Sequence, residues 1–502
     1  MKHLPQNMTP GKDDKKRTAR ANAMARKLEG NPRVMYADAF RMYPAEHGMK
    51  GCEPQGRVSA SEAPRRNRDA LPTNKAFRRG DGAAKREIHG RILPVVCYYE
   101  KGQALRPYPM NYDTSDVPGH LCSHVNLAFM ELNRTTYTIQ EDHTVKFTDF
   151  AQLKKKFPRL KTFTSVGGWS NQTRVISAMT SGRERRKAFI KDAKKLLVDH
   201  DFDGLDIHWL FPGFADQGGK NSDKVNFVRL LKELYAAFKA HNLLLTAAIP
   251  INQQILDNGY DIRAIDRYVD WMNVIGYDIR GYWNGRTDVH SPLHRRSIDG
   301  NDTADLNVET GLQVLLGRGA SKRKLVLGVA FYGRVYRLSD PQNVGLHAPI
   351  DLVKKPQRGA FLMSDNIHAY FEICKNIKFG SWRRSFDSQG MCPYATNGQD
   401  WVGYEDEESI AKKVEFVRKE GYAGIMVLSS DMDDFRGTPV EGLLKFRPSG
   451  VFLTCSDMAL NMGFHRFTFI DMRPRWWDRT RDILVNSRVP QPLIHRGGPD
   501  WN

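Results

Sequence analysis

Eight short runs rich in β-branched and aromatic residues recur between residues 91 and 430 of this chain, with longer amphipathic segments between most of them. They are RILPVVCYY (91–99), CSHVNLAFM (122–130), KTFTSVGG (161–168), GLDIHWL (204–210), LLLTAAIP (243–250), VDWMNVIGY (269–277), KLVLGVAFY (324–332) and AGIMVLSS (423–430). The intervening segments carry helical periodicity, as in RERRKAFIKDAKKLLVDH (183–200) and KVNFVRLLKELYAAFKAHN (224–242). In the second of these, Phe227, Leu230, Leu231, Leu234, Tyr235 and Phe238 recur at helical spacing and make one apolar face. Strands that alternate with helices build a parallel sheet, and eight such units close into a (β/α)8 TIM barrel of the α/β class. The stretch between the seventh and eighth runs is too long for one helix. It contains GAFLMSDNIHAYFEICKNI and CPYATNGQDWVGYED, and predicts a small α+β insertion at about 336–416.

Outside 91–446 the texture changes. Residues 1–90 hold 20 Lys and Arg against 10 Asp and Glu, a large share of the net charge of +19. They show neither a helical nor a strand period and read as a basic, disordered extension. Residues 447–502 read as an irregular tail. A basic extension of this kind can meet anionic glycans, while nucleic acid is not an expected partner. No apolar run approaches the ~18 residues of a membrane span. The segment after Met1 has no apolar core of the secretory kind. Six cysteines occur without a CxxC pair, so no zinc or dithiol redox site is indicated, and no metal or cofactor is expected. Four N-x-[ST] sequons, at Asn7, Asn133, Asn171 and Asn301, are candidate glycosylation sites.

The stretch DFDGLDIHWLFPG (201–213) carries the strongest chemical signal. Alternate side chains of a barrel strand face the interior, so Gly204, Asp206, His208 and Leu210 share a face. Leu210 falls at the C-terminal end of the strand, where barrel enzymes place their chemistry. A buried acid there costs desolvation and is an odd choice for packing alone.

This stretch resembles the signature strand of glycoside hydrolase family 18, the chitinases and chitinase-like lectins. The family pattern D-x-x-D-x-D-x-E reads here as Asp203, Asp206, His208 and Leu210. SVGGW (165–169), VIGYD (274–278), VAFYGR (329–334) and WVGYEDEES followed by GIMVLSSDMDDF resemble further family motifs in the same order. The resemblance spans about 91–446. It implies substrate-assisted hydrolysis, in which the final Glu protonates the glycosidic oxygen and the preceding Asp orients the N-acetyl group. Those positions are Leu210 and His208 in this chain, so no catalytic set is intact. His208 either hydrogen-bonds Asp206 or Tyr277 inside the barrel, or stands in as a proton donor.

The resemblance further implies ligand contacts at Tyr98, Phe129, Trp169, Tyr277, Asp278, Tyr332 and Arg334. Two aromatic platforms of the family fall at Leu428 and Gly102, which predicts weakened sugar stacking. It implies a disulfide between Cys97 and Cys122, and hence a secreted protein in an oxidising compartment. Cys374 matches a family cysteine whose usual partner is missing, leaving Cys392 or Cys455 as alternatives. The expected function is binding of chitin or chito-oligosaccharides without efficient hydrolysis. The alternatives are a weak or altered glycosidase and a scaffold that binds no sugar.

Overall fold

The computed structural model describes residues 93–436, apart from Glu141, His143, Ser170 and Asn171. The basic extension 1–90, the tail 447–502, Cys52 and Cys455 lie outside the described residues. The first seven strands are β1 (Val95–Glu100), β2 (His124–Met130), β3 (Lys161–Gly167), β4 (Gly204–His208), β5 (Leu244–Pro250), β6 (Trp271–Ile275) and β7 (Leu325–Ala330). An inserted antiparallel sheet follows: β8 (Tyr332–Arg337), β9 (Ile367–Ala369), β10 (Arg383–Asp387), β11 (Cys392–Thr396) and β12 (Asp400–Gly403). β13 (Gly424–Leu428) then pairs in parallel with both β1 and β7 and closes the barrel. The (β/α)8 barrel is therefore complete, with the small sheet inserted between its seventh and eighth strands.

The run KLVLGVAFY, read above as one strand, is two. β7 ends at Ala330 and β8 begins at Tyr332, in a different sheet. The chain leaves the barrel within one residue, so side chains of β8 stand directly beside the barrel mouth. The helix Glu407–Glu420 precedes β13. Asp406 caps its first turn by accepting from the Ser409 N–H at 3.1 Å, and Gly421 ends it in the left-handed conformation.

The helix Asp223–Lys239 buries Phe227, Leu230, Leu231, Leu234 and Phe238 as its pattern requires, but Tyr235 is 41 % exposed. Tyr235 sits at the edge of the apolar stripe and leans on Tyr268 across 6.1 Å. On the opposite flank of the stripe the buried face extends to Asn226 and to Asp223, whose carboxylate accepts from the Ser177 hydroxyl at 2.7 Å and the Lys220 N–H at 2.7 Å. Cys97 on β1 is bonded to Cys122, just ahead of β2, across 25 residues of chain. A closed loop of that length contributes about 3 kcal/mol in the chain-entropy account. Cys374 and Cys392 are both free thiols, so Cys392 is not the partner of Cys374. No helix among the described residues is long and apolar enough to cross a membrane.

Candidate functional site

The barrel interior is polar at one layer. Asp206, fully buried on β4, accepts hydrogen bonds from side chains on four other strands. Tyr98 on β1 donates at 2.7 Å, Ser165 on β3 at 2.6 Å, Thr246 on β5 at 2.6 Å and Asn273 on β6 at 3.1 Å. The register explains the meeting: Ser165, Asp206 and Thr246 are direct lateral partners, so their inward side chains converge. A buried carboxylate costs heavily unless its lone pairs are filled, and here four donors fill them. Asp203 belongs elsewhere. It lies one residue before β4, accepts from the Thr162 N–H at 2.8 Å and pairs with Lys154 at 3.2 Å. It is part of the barrel's closed N-terminal end.

His208 ends β4 and is buried. Neither hydrogen bond expected of it forms. Its Nδ1 lies 3.9 Å from Asp206, too far for a hydrogen bond, and has no partner. The imidazole instead packs edge-on against Phe129, at 4.7 Å between ring centres, and Tyr98, at 5.7 Å. Burial pushes its pKa down to about 4, against a smaller opposing pull from Asp206. At neutral pH it is an uncharged ring in an aromatic slot and holds no spare proton to donate as imidazolium.

Leu210 lies two residues beyond the end of β4 and is 4 % exposed. Trp209 between them turns outward onto Phe227, and its carbonyl accepts from the Tyr260 hydroxyl. Phe129 is held by the glycine pair that ends β3. Gly168 has φ of +77° and a side chain there would strike the Phe129 ring at 2.3 Å, and a side chain at Gly167 would strike the His208 carbonyl oxygen at 2.3 Å. That is the physical reason for two glycines in SVGGW. Trp169, next in the chain, is half-buried against the core.

The second cluster joins β6 to the inserted sheet. Asp278, three residues beyond β6, accepts from Arg334 Nε at 2.6 Å and from the Tyr332 hydroxyl at 2.6 Å, both on β8. His290 Nδ1 stands 3.3 Å from the same carboxylate, and its ring stacks on Tyr332 at 5.4 Å. Burial opposes ionisation of Asp278, but Arg334 and His290 outweigh it and hold the carboxyl well below its usual range. Arg334 also lies over the Trp283 ring at 5.6 Å. Tyr277 is buried beside Tyr332, at 6.1 Å between ring centres. Ser165, Thr246, Asn273, His290 and Trp283 were not singled out from sequence. The three barrel residues have ordinary strand identities, and only the register shows that they face Asp206.

Asp288, Asp299 and His347 have ligand atoms close enough to share a cation. Arg280 and Arg296 already occupy that space. Arg280 lies 3.0 Å from Asp288 and 2.7 Å from Asp299, and Arg296 lies 2.8 Å and 2.7 Å from the same pair. Arg296 also reaches Asp387 at 3.0 Å, so two guanidinium groups and three carboxylates make a structural ion-pair network that fills the space.

The state of His208 predicts a pH dependence. A folded pKa below the unfolded value means that the unfolded chain binds more protons between about pH 6.5 and 4, so stability is full above that window and falls as pH drops through it. His124 is also pushed down to about 4, chiefly by burial, and adds to the same slope. Urea unfolding of the parent and a His208→Leu variant at pH 7, 5.5 and 4.5 is expected to show the variant losing roughly half of that slope. Equal slopes in the two proteins would rule out a neutral buried His208.

Barrel and inserted sheet together place the chain among chitinase-like (β/α)8 proteins. Residues 94–433 match the model of "Glycosyl hydrolases family 18", and the chain belongs to that family. It is 36 % identical to an endochitinase of Manduca sexta over 358 residues, 68 % of this chain and 64 % of that protein. The chain thus spans just under two thirds of the length of that relative. Among solved structures it resembles a glutamate-to-leucine mutant of Ostrinia furnacalis Group II chitinase catalytic domain 2, in complex with penta-N-acetylchitooctaose. That likeness has a TM-score of 0.66 at 30 % identity and covers 69 % of this chain and 92 % of the other. Human YKL-39, described as a pseudo-chitinase with retained chitooligosaccharide binding, matches with a TM-score of 0.64 at 28 % identity over 69 % of this chain and 94 % of its own.

Proposed function

We propose that this chain is a chitinase-like protein that binds chitin or chito-oligosaccharides and does not hydrolyse them efficiently. The observation that carries this reading is the pair of side chains beyond Asp206. Leu210, at the motif's proton-donor position, holds no acid. His208, at the orienting position, is a neutral ring held between Tyr98 and Phe129. Asp206 itself is committed to four barrel donors and is not free to act in place of either. Loss of one positioned acid costs ~10²–10⁴-fold in rate. The binding half of the reading rests on Trp169, Tyr277, Asp278, Tyr332 and Arg334, and on the solved relatives whose descriptions record a complex with, or retained binding of, chito-oligosaccharides. The Cys97–Cys122 disulfide supports a secreted protein, since such bonds persist in oxidising compartments.

Calorimetric titration of the full chain with chitopentaose tests the reading. A saturable heat is expected, and Trp169→Ala is expected to weaken binding by about tenfold, the contribution of one well-placed aromatic face. Absence of any saturable heat in the parent would overturn it and favour a scaffold whose partners meet the outer surface.

A further inference from the structure

The outer face of the barrel carries a second feature, independent of the sugar cleft. The helices Arg183–Asp199 and Asp223–Lys239 flank a groove of about 460 Å³, lined by Arg183, Lys187, Lys191 and Lys194 above Ile190 and Ala237. The cations are spaced four, four and three residues apart. At 1.5 Å per residue and 3.6 residues per turn, they form a stripe about 17 Å long on one face of the helix. The acid bordering the groove does not cancel them. Both oxygens of Glu233 are taken by Arg186, at 3.0 and 2.8 Å. Lys187 pairs only with the exposed Glu184, a contact of little strength in water. Arg183, Lys191 and Lys194 are in no salt bridge among the described residues.

Cations strung along an axis do not converge on one phosphate. They match a linear chain with repeated negative charge. The groove has no aromatic side chain, so it offers no stacking platform for single-stranded bases. Its apolar residues are recessed beneath the charges, the reverse of what insertion into a lipid surface needs. We infer that this groove binds a linear sulfated glycan, with sulfates on the cation stripe and sugar C–H faces over Ile190 and Ala237.

The test is heparin binding by the full chain at physiological ionic strength, for the parent and three double variants. Lys191→Glu with Lys194→Glu is expected to weaken binding by about tenfold, from two lost and reversed contacts. Lys191→Gln with Lys194→Gln is expected to give a smaller loss in the same direction, and guards against misfolding of the first. Lys354→Glu with Lys355→Glu, exposed on the insertion and of equal net charge, is expected to stay within about twofold of the parent. Equal losses in the groove and insertion variants would overturn the inference, because overall charge would then drive binding. So would displacement of bound heparin by chemically desulfated heparin or by a single-stranded oligonucleotide as readily as by heparin itself.

Discussion

Asp206→Ala is expected to lower the unfolding free energy by about 4 kcal/mol, which makes it the most damaging single change proposed for this barrel. The substitution strands the hydroxyls of Tyr98, Ser165 and Thr246 and the amide of Asn273 in a water-poor interior. Each orphaned buried donor costs roughly 1–3 kcal/mol. The sum is not reached, because Asn273 still donates to the Tyr98 oxygen at 3.1 Å and the vacated space admits water. Asp206→Asn keeps one acceptor and most of the shape, and is expected to cost about half as much. Urea midpoints at pH 7 with an unchanged m-value check both. A shift below about 1 kcal/mol for the alanine variant would mean that the four donors find other partners.

The second large effect concerns chemistry. Leu210→Glu combined with His208→Asp is expected to raise turnover of a chromogenic chitotrioside at least ~10²-fold above the parent, with each single change giving far less. The two positions act as one unit, since the proton donor is of little use while the N-acetyl group is unheld. A carboxylate at position 208 would also sit close to Asp206 in the same buried layer, and two such groups share one proton. The gain should therefore follow a bell-shaped pH profile, with its acid limb set by the pair rather than by either residue. A double variant that binds chitotriose and still fails to cleave it would place the defect elsewhere, first at Leu428, where the family resemblance implies an aromatic floor.

Much of this architecture is legible in the sequence because it rests on local pattern. Period and length separate the strand runs from the helix Asp223–Lys239, and the two-residue alternation puts Asp206 and His208 on one face. What does not show is whatever depends on lateral register. Ser165, Thr246 and Asn273 lie 41, 40 and 67 residues from Asp206, and nothing within their own strands marks them as its donors. For the same reason His208 was expected to reach a polar partner: sequence shows the nearby Asp206 but not the aromatic slot built by Tyr98 and Phe129. Asp203 was grouped with the site by motif spacing alone, and pairs instead with Lys154 at the other end of the strand. Tyr235 shows how coarse an apolar face is, since a residue at its edge is buried or exposed according to what the neighbouring helix supplies.

The Asp278, Tyr332 and Arg334 cluster has a consequence for how chains like this one diverge. Its carboxylate comes from the barrel and its donors from the first strand of the inserted sheet. Removing Arg334 would leave a buried charge unmatched, and removing Asp278 would leave a buried cation. Such a trio is held in place by mechanics whether or not a sugar ever touches it. Positions 208 and 210 carry no comparable burden and can drift once catalysis is no longer selected. In a lineage that abandons hydrolysis, the motif should therefore erode unevenly, with positions 208 and 210 going first while Asp206 and the tyrosine–aspartate–arginine signature persist. That signature is a record of how two sheets are fastened together.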